Sequence, residues 1–98
     1  MENQATGSII QGLGGALFEA VDFAGGKILN SGLSAYRVPR FSDIPKIEIV
    51  LIDRKDQPSV GAGEAAIVGI APAIRNAIAD ATGIALTTLP MLPNGVLA

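Results

Sequence analysis

Apolar residues recur at helical spacing between Ser8 and Asp22, SIIQGLGGALFEAVD. Ile9, Ile10, Leu13, Ala16, Leu17, Ala20 and Val21 mark one side of a helix, with Ser8 as a candidate N-cap. Gly12, Gly14 and Gly15 lie inside it, and each costs about 1 kcal/mol relative to Ala. Close approach by another backbone or by a ligand would offset that cost, and tight helix packing is the expected reason. The pattern then changes. Ala24-Gly25-Gly26-Lys27 carries a Gly-Gly hairpin signal, and Lys27 to Leu29 reads as a short strand. Asn30 to Ser34 is loop, and Pro39 and Pro45 bracket an extended stretch. Lys46 to Asp53, KIEIVLID, alternates most clearly. Ile47, Ile49 and Leu51 share one face, while Val50 and Ile52 make the other partly apolar too. A second helix opens near Pro72 and stops at Gly83. Ile74, Ala77, Ile78 and Ala81 form its expected buried stripe, and Arg75, Ala79 and Asp80 point away. Ile84 to Leu89 alternates like a final strand, and the tail from Met91 is expected to be loose or to dock on a partner. This order predicts an α+β fold, with two helices packed on a small, mostly antiparallel or mixed sheet in a single domain spanning residues 1–98.

Composition changes the picture in one respect. Hydrophobic residues make up 49% of the chain and charged residues 16%, against a usual charged share of about 25%. A domain this small has too much surface to cover with so little charge. It is therefore expected to leave apolar patches bare, and to self-associate or form part of something larger. The net charge of −2, with scattered cations, gives no footprint for nucleic acid. No apolar run approaches the ~20 residues that span a bilayer, and MENQATGS lacks the basic start and apolar core of a signal peptide. The chain has no cysteine and no histidine. That excludes a thiolate or imidazole metal site, a Ser-His-Asp triad and an iron–sulfur cluster within it. No protein side chain is assigned to a metal.

Candidate chemistry narrows to one carboxylate. In Val60 to Gly83, VGAGEAAIVGIAPAIRNAIADATG, Glu64 sits on a loop with Gly61 and Gly63, beside Ala62, Ala65, Ala66, Ile67 and Val68. Glycines let a backbone approach another body closely. A carboxylate in an apolar setting has its pKa raised, which suits a general base. A solvent-exposed turn glutamate would look the same, so the residues leave both readings open. Glu48 and Asp53 offer no spacing that argues for a paired-carboxylate hydrolase. GLGG in the first helix does not follow a strand and is not a dinucleotide fingerprint.

Several motifs, in order, resemble one family. They are Asn3-Gln4, Gly7 and Gln11-Gly12-Leu13-Gly14, then Tyr36-Arg37-Val38-Pro39-Arg40 with Asp43-Ile44-Pro45. Gly61-Ala62-Gly63-Glu64 follows, then Ala71-Pro72-Ala73-Ile74, Asn76-Ala77-Ile78 and Asp80-Ala81-Thr82-Gly83, and finally Leu89-Pro90. Over nearly its whole length the chain resembles the C-terminal segment of the molybdopterin-binding large subunit of the xanthine oxidase/aldehyde oxidase family of molybdenum hydroxylases, closest to the isoquinoline oxidoreductase-like branch.

The resemblance implies that Glu64 is the general base, taking a proton from a molybdenum-bound hydroxyl whose oxygen attacks a substrate carbon. It implies that Gln4 hydrogen-bonds the molybdopterin and that the backbone at Ala62 and Gly63 lines it. The substrate class would be an aldehyde or an N-heterocycle. The metal would be held by the pterin, so the missing Cys and His are no objection. The remainder of the molybdenum subunit and an iron–sulfur subunit or domain are the implied partners. Met1 falls in the middle of the family's pattern, as in a truncated gene, a misassigned start or a cloned fragment. Such a chain would bind no cofactor and turn over nothing by itself. The competing expectations are a stand-alone, self-associating α+β module without molybdenum, and a small-molecule binding domain using the glycine-rich helix.

Overall fold

A computed structural model describes all 98 residues. Helix α1 runs Glu2–Leu17 and α2 runs Ile70–Thr82. Strands β1 (Phe23–Ala24) and β2 (Lys27–Ile28) form an antiparallel hairpin, pairing Phe23 with Ile28 and Ala24 with Lys27. Gly25 and Gly26 take φ of 56° and 75°, the left-handed pair that a two-residue hairpin turn requires. Short 3-10 turns occupy Phe41–Asp43, Ala65–Gly69 and Pro93–Gly95. The fold is α+β, with two helices and one small antiparallel sheet.

The helices pack chiefly on each other and on the Ala65–Gly69 turn, while the hairpin follows the C-terminal end of α1. The core is Ala16, Leu86 and Met91, flanked by Leu17, Ala71, Ile74 and Ile78. Helix α2 therefore buries a stripe through Ala71, Ile74 and Ile78, at i, i+3 and i+7. Ala77 and Ala81, expected in that stripe, are exposed. Arg75, expected to point away, turns inward, and its Nε donates to the Leu86 carbonyl at 3.1 Å. The guanidinium satisfies a carbonyl beside the core that no strand pairs. Gly83 closes α2 with φ 75° and donates its N–H to the Ala79 carbonyl at 2.8 Å, as its sequence predicts.

Three expectations are corrected. Helix α1 starts six residues before Ser8, so Ser8 is no cap but a buried mid-helix residue. The tail does not hang free. Met91 is 3% exposed, and the N–H groups of Met91 and Leu92 donate to the carbonyls of Ala16 and Leu17 at 2.8 and 3.0 Å. These bonds satisfy last-turn carbonyls of α1 that have no partner within the helix. Lys46–Asp53 and Ile84–Leu89 join no sheet. Both are rich in β-forming residues, but the hairpin is the chain's one sheet, and a strand needs a neighbour to become one.

Of the three glycines expected to serve packing, Gly12 and Gly14 do, while Gly15 is exposed. A Cβ on Gly12 would lie 3.0 Å from Ile70 Cβ, and one on Gly14 would lie 2.7 Å from the Pro39 ring. The small-molecule reading of this helix has no opening to use at these two positions.

Little of the chain is covered. Six of 98 residues are buried, and the accessible surface is 7350 Å². A compact protein of this mass exposes roughly 5,200 Å². The radius of gyration is 16.2 Å, against about 13 Å for a compact domain of this length. The excess, about 2,000 Å², is of the order that an obligate interface buries. Phe23, Ile28, Leu29 and Leu33 are exposed together around the hairpin.

Candidate functional site

The first two turns of α1 and the loop that ends at Glu64 meet, although 59 residues separate Gln4 from Gly63. Gln4 Nε2 donates to the Gly63 carbonyl, and Ser8 Oγ donates to the same oxygen at 3.3 Å. Gln4 and Ser8 are four apart, so one helix face presents both. Polar residues four apart on one helix face are the signal that could have revealed Ser8, which sequence reasoning took for a cap. Below them, Gly12 admits Ile67 and Ile70 against α1. The helix thus holds both the loop and the turn that follows it.

Glu64 stands at the hinge between loop and turn. Its carbonyl accepts the Ile67 N–H at 3.0 Å and starts the Ala65–Gly69 turn. Its carboxylate makes no hydrogen bond and no ion pair in this chain, and the residue is exposed. The apolar enclosure expected from Ala62, Ala65, Ala66, Ile67 and Val68 is absent, because Val68 is 78% exposed and Ala65 is exposed as well.

The donor chemistry suits an acceptor-rich ligand. The N–H groups of Gly61, Ala62, Gly63 and Glu64 donate to nothing in the chain. A Cβ on Gly61 or Gly63 would meet nothing within 4 Å, so another body can reach this backbone. Gln4 spends its N–H on Gly63 and keeps its carbonyl Oε1 free. Oxygen and nitrogen acceptors of a pterin or phosphate fit such a run of amides. The structure brings Gln4, Ala62, Gly63 and Glu64 into one place. The larger concavities lie elsewhere, among them one of about 700 Å³ lined by Val21, Asp22, Phe23, Leu29, Asn30 and Ala35.

Two charged pairs brace the surroundings. Arg37 stacks on Phe18 at 3.7 Å and bonds Asp43 at 3.3 Å, while Asp43 also accepts the Arg40 N–H at 2.9 Å. These contacts hold Pro39 against Gly14. In the loop leading to the site, Arg54 grips Asp56 with two bonds of 2.8 and 2.7 Å. That pairing lowers the Asp56 carboxyl to about 2. Both groups are solvent-exposed, so they order the loop without a large stake in stability.

The Gly63 carbonyl gives a direct test of loop anchoring. Removing both donors, Gln4→Ala with Ser8→Ala, leaves it no partner in the chain. At about 1 kcal/mol per bond, cleavage after Glu64 by a glutamate-specific protease is expected to accelerate several-fold. Ser8→Ala alone should give a smaller change.

The sequence has relatives. Residues 1–45 match the family model of the molybdopterin cofactor-binding domain. The match contains Gln4 and Ser8 and ends before Glu64. Across most of its length the chain is 37% identical to the putative xanthine dehydrogenase molybdenum-binding subunit of Escherichia coli, covering 94% of this chain and 13% of that protein. It is 42% identical to the isoquinoline 1-oxidoreductase subunit beta of Brevundimonas diminuta, covering 92% and 11%. It is 38% identical to the aldehyde oxidoreductase molybdenum-binding subunit of Escherichia coli, covering 91% and 13%. The chain is therefore a relative of the molybdopterin-binding, molybdenum-carrying subunits of the xanthine dehydrogenase and aldehyde oxidoreductase family. It spans only about an eighth of their length.

Proposed function

We propose that this chain supplies the proton-accepting glutamate and one edge of the molybdopterin site of a molybdenum hydroxylase. Such an enzyme would hydroxylate an aldehyde or N-heterocycle carbon with oxygen from water. The observation that carries this reading is the joint hold of Gln4 and Ser8 on the Gly63 carbonyl. It fixes the loop beside Glu64 while leaving that carboxylate and the neighbouring amides unused. The cofactor, when bound, supplies the redox step. The N–H groups of Ala62 and Gly63 and the free Oε1 of Gln4 hold its edge. Glu64 accepts the proton at a carboxylate oxygen as the new carbon–oxygen bond forms, so negative charge need not accumulate on the attacking oxygen.

The exposure of Glu64 supports a chain that is inactive by itself. A base in bulk water has neither a fixed partner nor a dry surrounding, and both are what a complete site contributes. The rest of a molybdenum subunit and an iron–sulfur subunit or domain are the proposed partners. The deciding experiment is Glu64→Gln in an assembled subunit carrying this segment. Lost turnover with retained cofactor supports the base, whereas lost cofactor makes Glu64 structural.

A second reading, a self-associating module without molybdenum, draws on the bare apolar surface around Phe23, Ile28, Leu29 and Leu33. The chain in isolation is expected to oligomerise through that face. A monomeric sedimentation profile at tens of micromolar would remove this expectation, while molybdenum in protein purified from its native host would favour the enzyme reading.

A further inference from the structure

Lys46–Ile52, the most strand-like segment of the sequence, joins no helix or sheet and is unpaired. No backbone N–H or carbonyl from Lys46 to Asp53 takes part in any hydrogen bond of the chain. Both of its edges are therefore open. Its side chains alternate without a solvent face: Ile47, Ile49 and Leu51 point one way, and Glu48, Val50 and Ile52 point the other. Ile47 and Ile49 are half-buried, and Leu51 shares a shallow concavity with Met1, Glu2 and Asn3 at the start of α1. The opposite face is bare, with Val50 79% and Ile52 81% exposed.

We propose that Lys46–Ile52 is an interior strand of a β-sheet whose other strands belong to the remainder of the molybdenum-binding subunit. The inference deepens the proposed partnership and rests on it. A strand apolar on one face and, but for Glu48, on the other belongs inside a covered sheet. Two open edges call for two neighbours, one on each side. A second copy of this chain would pair one edge by two-fold symmetry and leave the other edge open. The relatives are about eight times longer than the matched segment, which is enough polypeptide to supply both neighbours and a covering layer. The occupant is thus two extended, β-branched segments that offer alternating N–H and carbonyl groups. At about 3.3 Å per residue the seven residues present roughly 23 Å of edge, an ordinary strand length. The placement has a consequence for the site. Residues 53–60 alone separate this strand from the Gly61–Glu64 loop, and Leu51 lies beside the first turn of α1. Pairing along Lys46–Ile52 would register both halves of the site against the body of the subunit.

Hydrogen exchange of the Lys46–Asp53 amides tests this without any substitution. It is measured in the 98-residue chain at low and high concentration, and in an assembled subunit carrying the segment. Exchange at least about a hundred-fold slower in the subunit, with fast exchange in the chain at both concentrations, is the expected result. Fast exchange in the subunit overturns the proposal. Slow exchange in the chain that deepens with concentration overturns it in favour of a second copy. Slow exchange independent of concentration overturns it in favour of protection within the chain. The readout needs no turnover, so a failed role for Glu64 leaves the result intact.

Discussion

Turnover of an assembled subunit carrying Glu64→Gln is expected to fall by about 10²- to 10⁴-fold, the range a positioned general base contributes. Molybdenum and pterin content should stay close to wild type. The reasoning starts from what the carboxylate does not do. It caps no helix, pairs with no cation and bonds no amide in this chain. Glutamine keeps the shape and the backbone turn that begins at Glu64, and it removes only the proton-accepting oxygen. Glu64→Asp separates position from basicity. It retains the carboxylate but withdraws it by one methylene, and a displacement of about 1 Å can cost up to about 100-fold. The expected order of turnover is wild type, then Asp, then Gln, with equal cofactor loading in all three. Equal rates for wild type and Gln would leave Glu64 an exposed turn residue, the other reading its sequence allowed.

What the sequence made legible follows the range of the forces involved. Helix α2 was readable at its end because Gly83 caps it locally, and the Gly25-Gly26 turn was readable for the same reason. Helix α1 was readable in type but not in start. Its first turns are polar, and Ser8 looks like a cap until the Gly63 carbonyl, 55 residues away, is brought to it. The inward turn of Arg75 and the burial of Met91 were invisible for a similar reason. Each answers a backbone group left open by a distant segment: the Leu86 carbonyl for Arg75, and the Ala16 carbonyl for Met91. Lys46–Asp53 is a different failure. Its pattern reads as β, but no strand of this chain pairs with it and it forms none. At the site, residue chemistry singled out Glu64 only as one of two readings, and resemblance added Gln4. The contact between the Gln4 helix and the Gly63 loop came only with the structure.

Gly14→Ala is expected to destabilise the protein by about 1–3 kcal/mol, although alanine is the better helix former. A Cβ at position 14 would stand 2.7 Å from Pro39 Cδ and Cγ and 3.0 Å from Glu19 Cδ. The proline ring cannot rotate aside. The Arg37–Asp43 pair and the stacking of Arg37 on Phe18 hold its strand of chain in place. Relief therefore requires the whole 37–43 segment to move off α1. Gly15 is the internal control. It is exposed, and a Cβ there would meet only Glu19 Oε2 at 3.8 Å. Gly15→Ala should gain about 0.5–1 kcal/mol from helix propensity alone. Two adjacent, chemically identical substitutions thus have opposite expected signs, read as shifts of the thermal unfolding midpoint in opposite directions. Stabilisation by both would mean that α1 and Pro39 do not approach as closely as 2.7 Å requires. A glycine stripe that exists to admit Pro39 on one side and Ile70 on the other also sets how far α1 stands from the turn that begins at Glu64. Gly12→Ala, which would press on Ile70 Cβ at 3.0 Å, is the substitution in this stripe that would move the carboxylate.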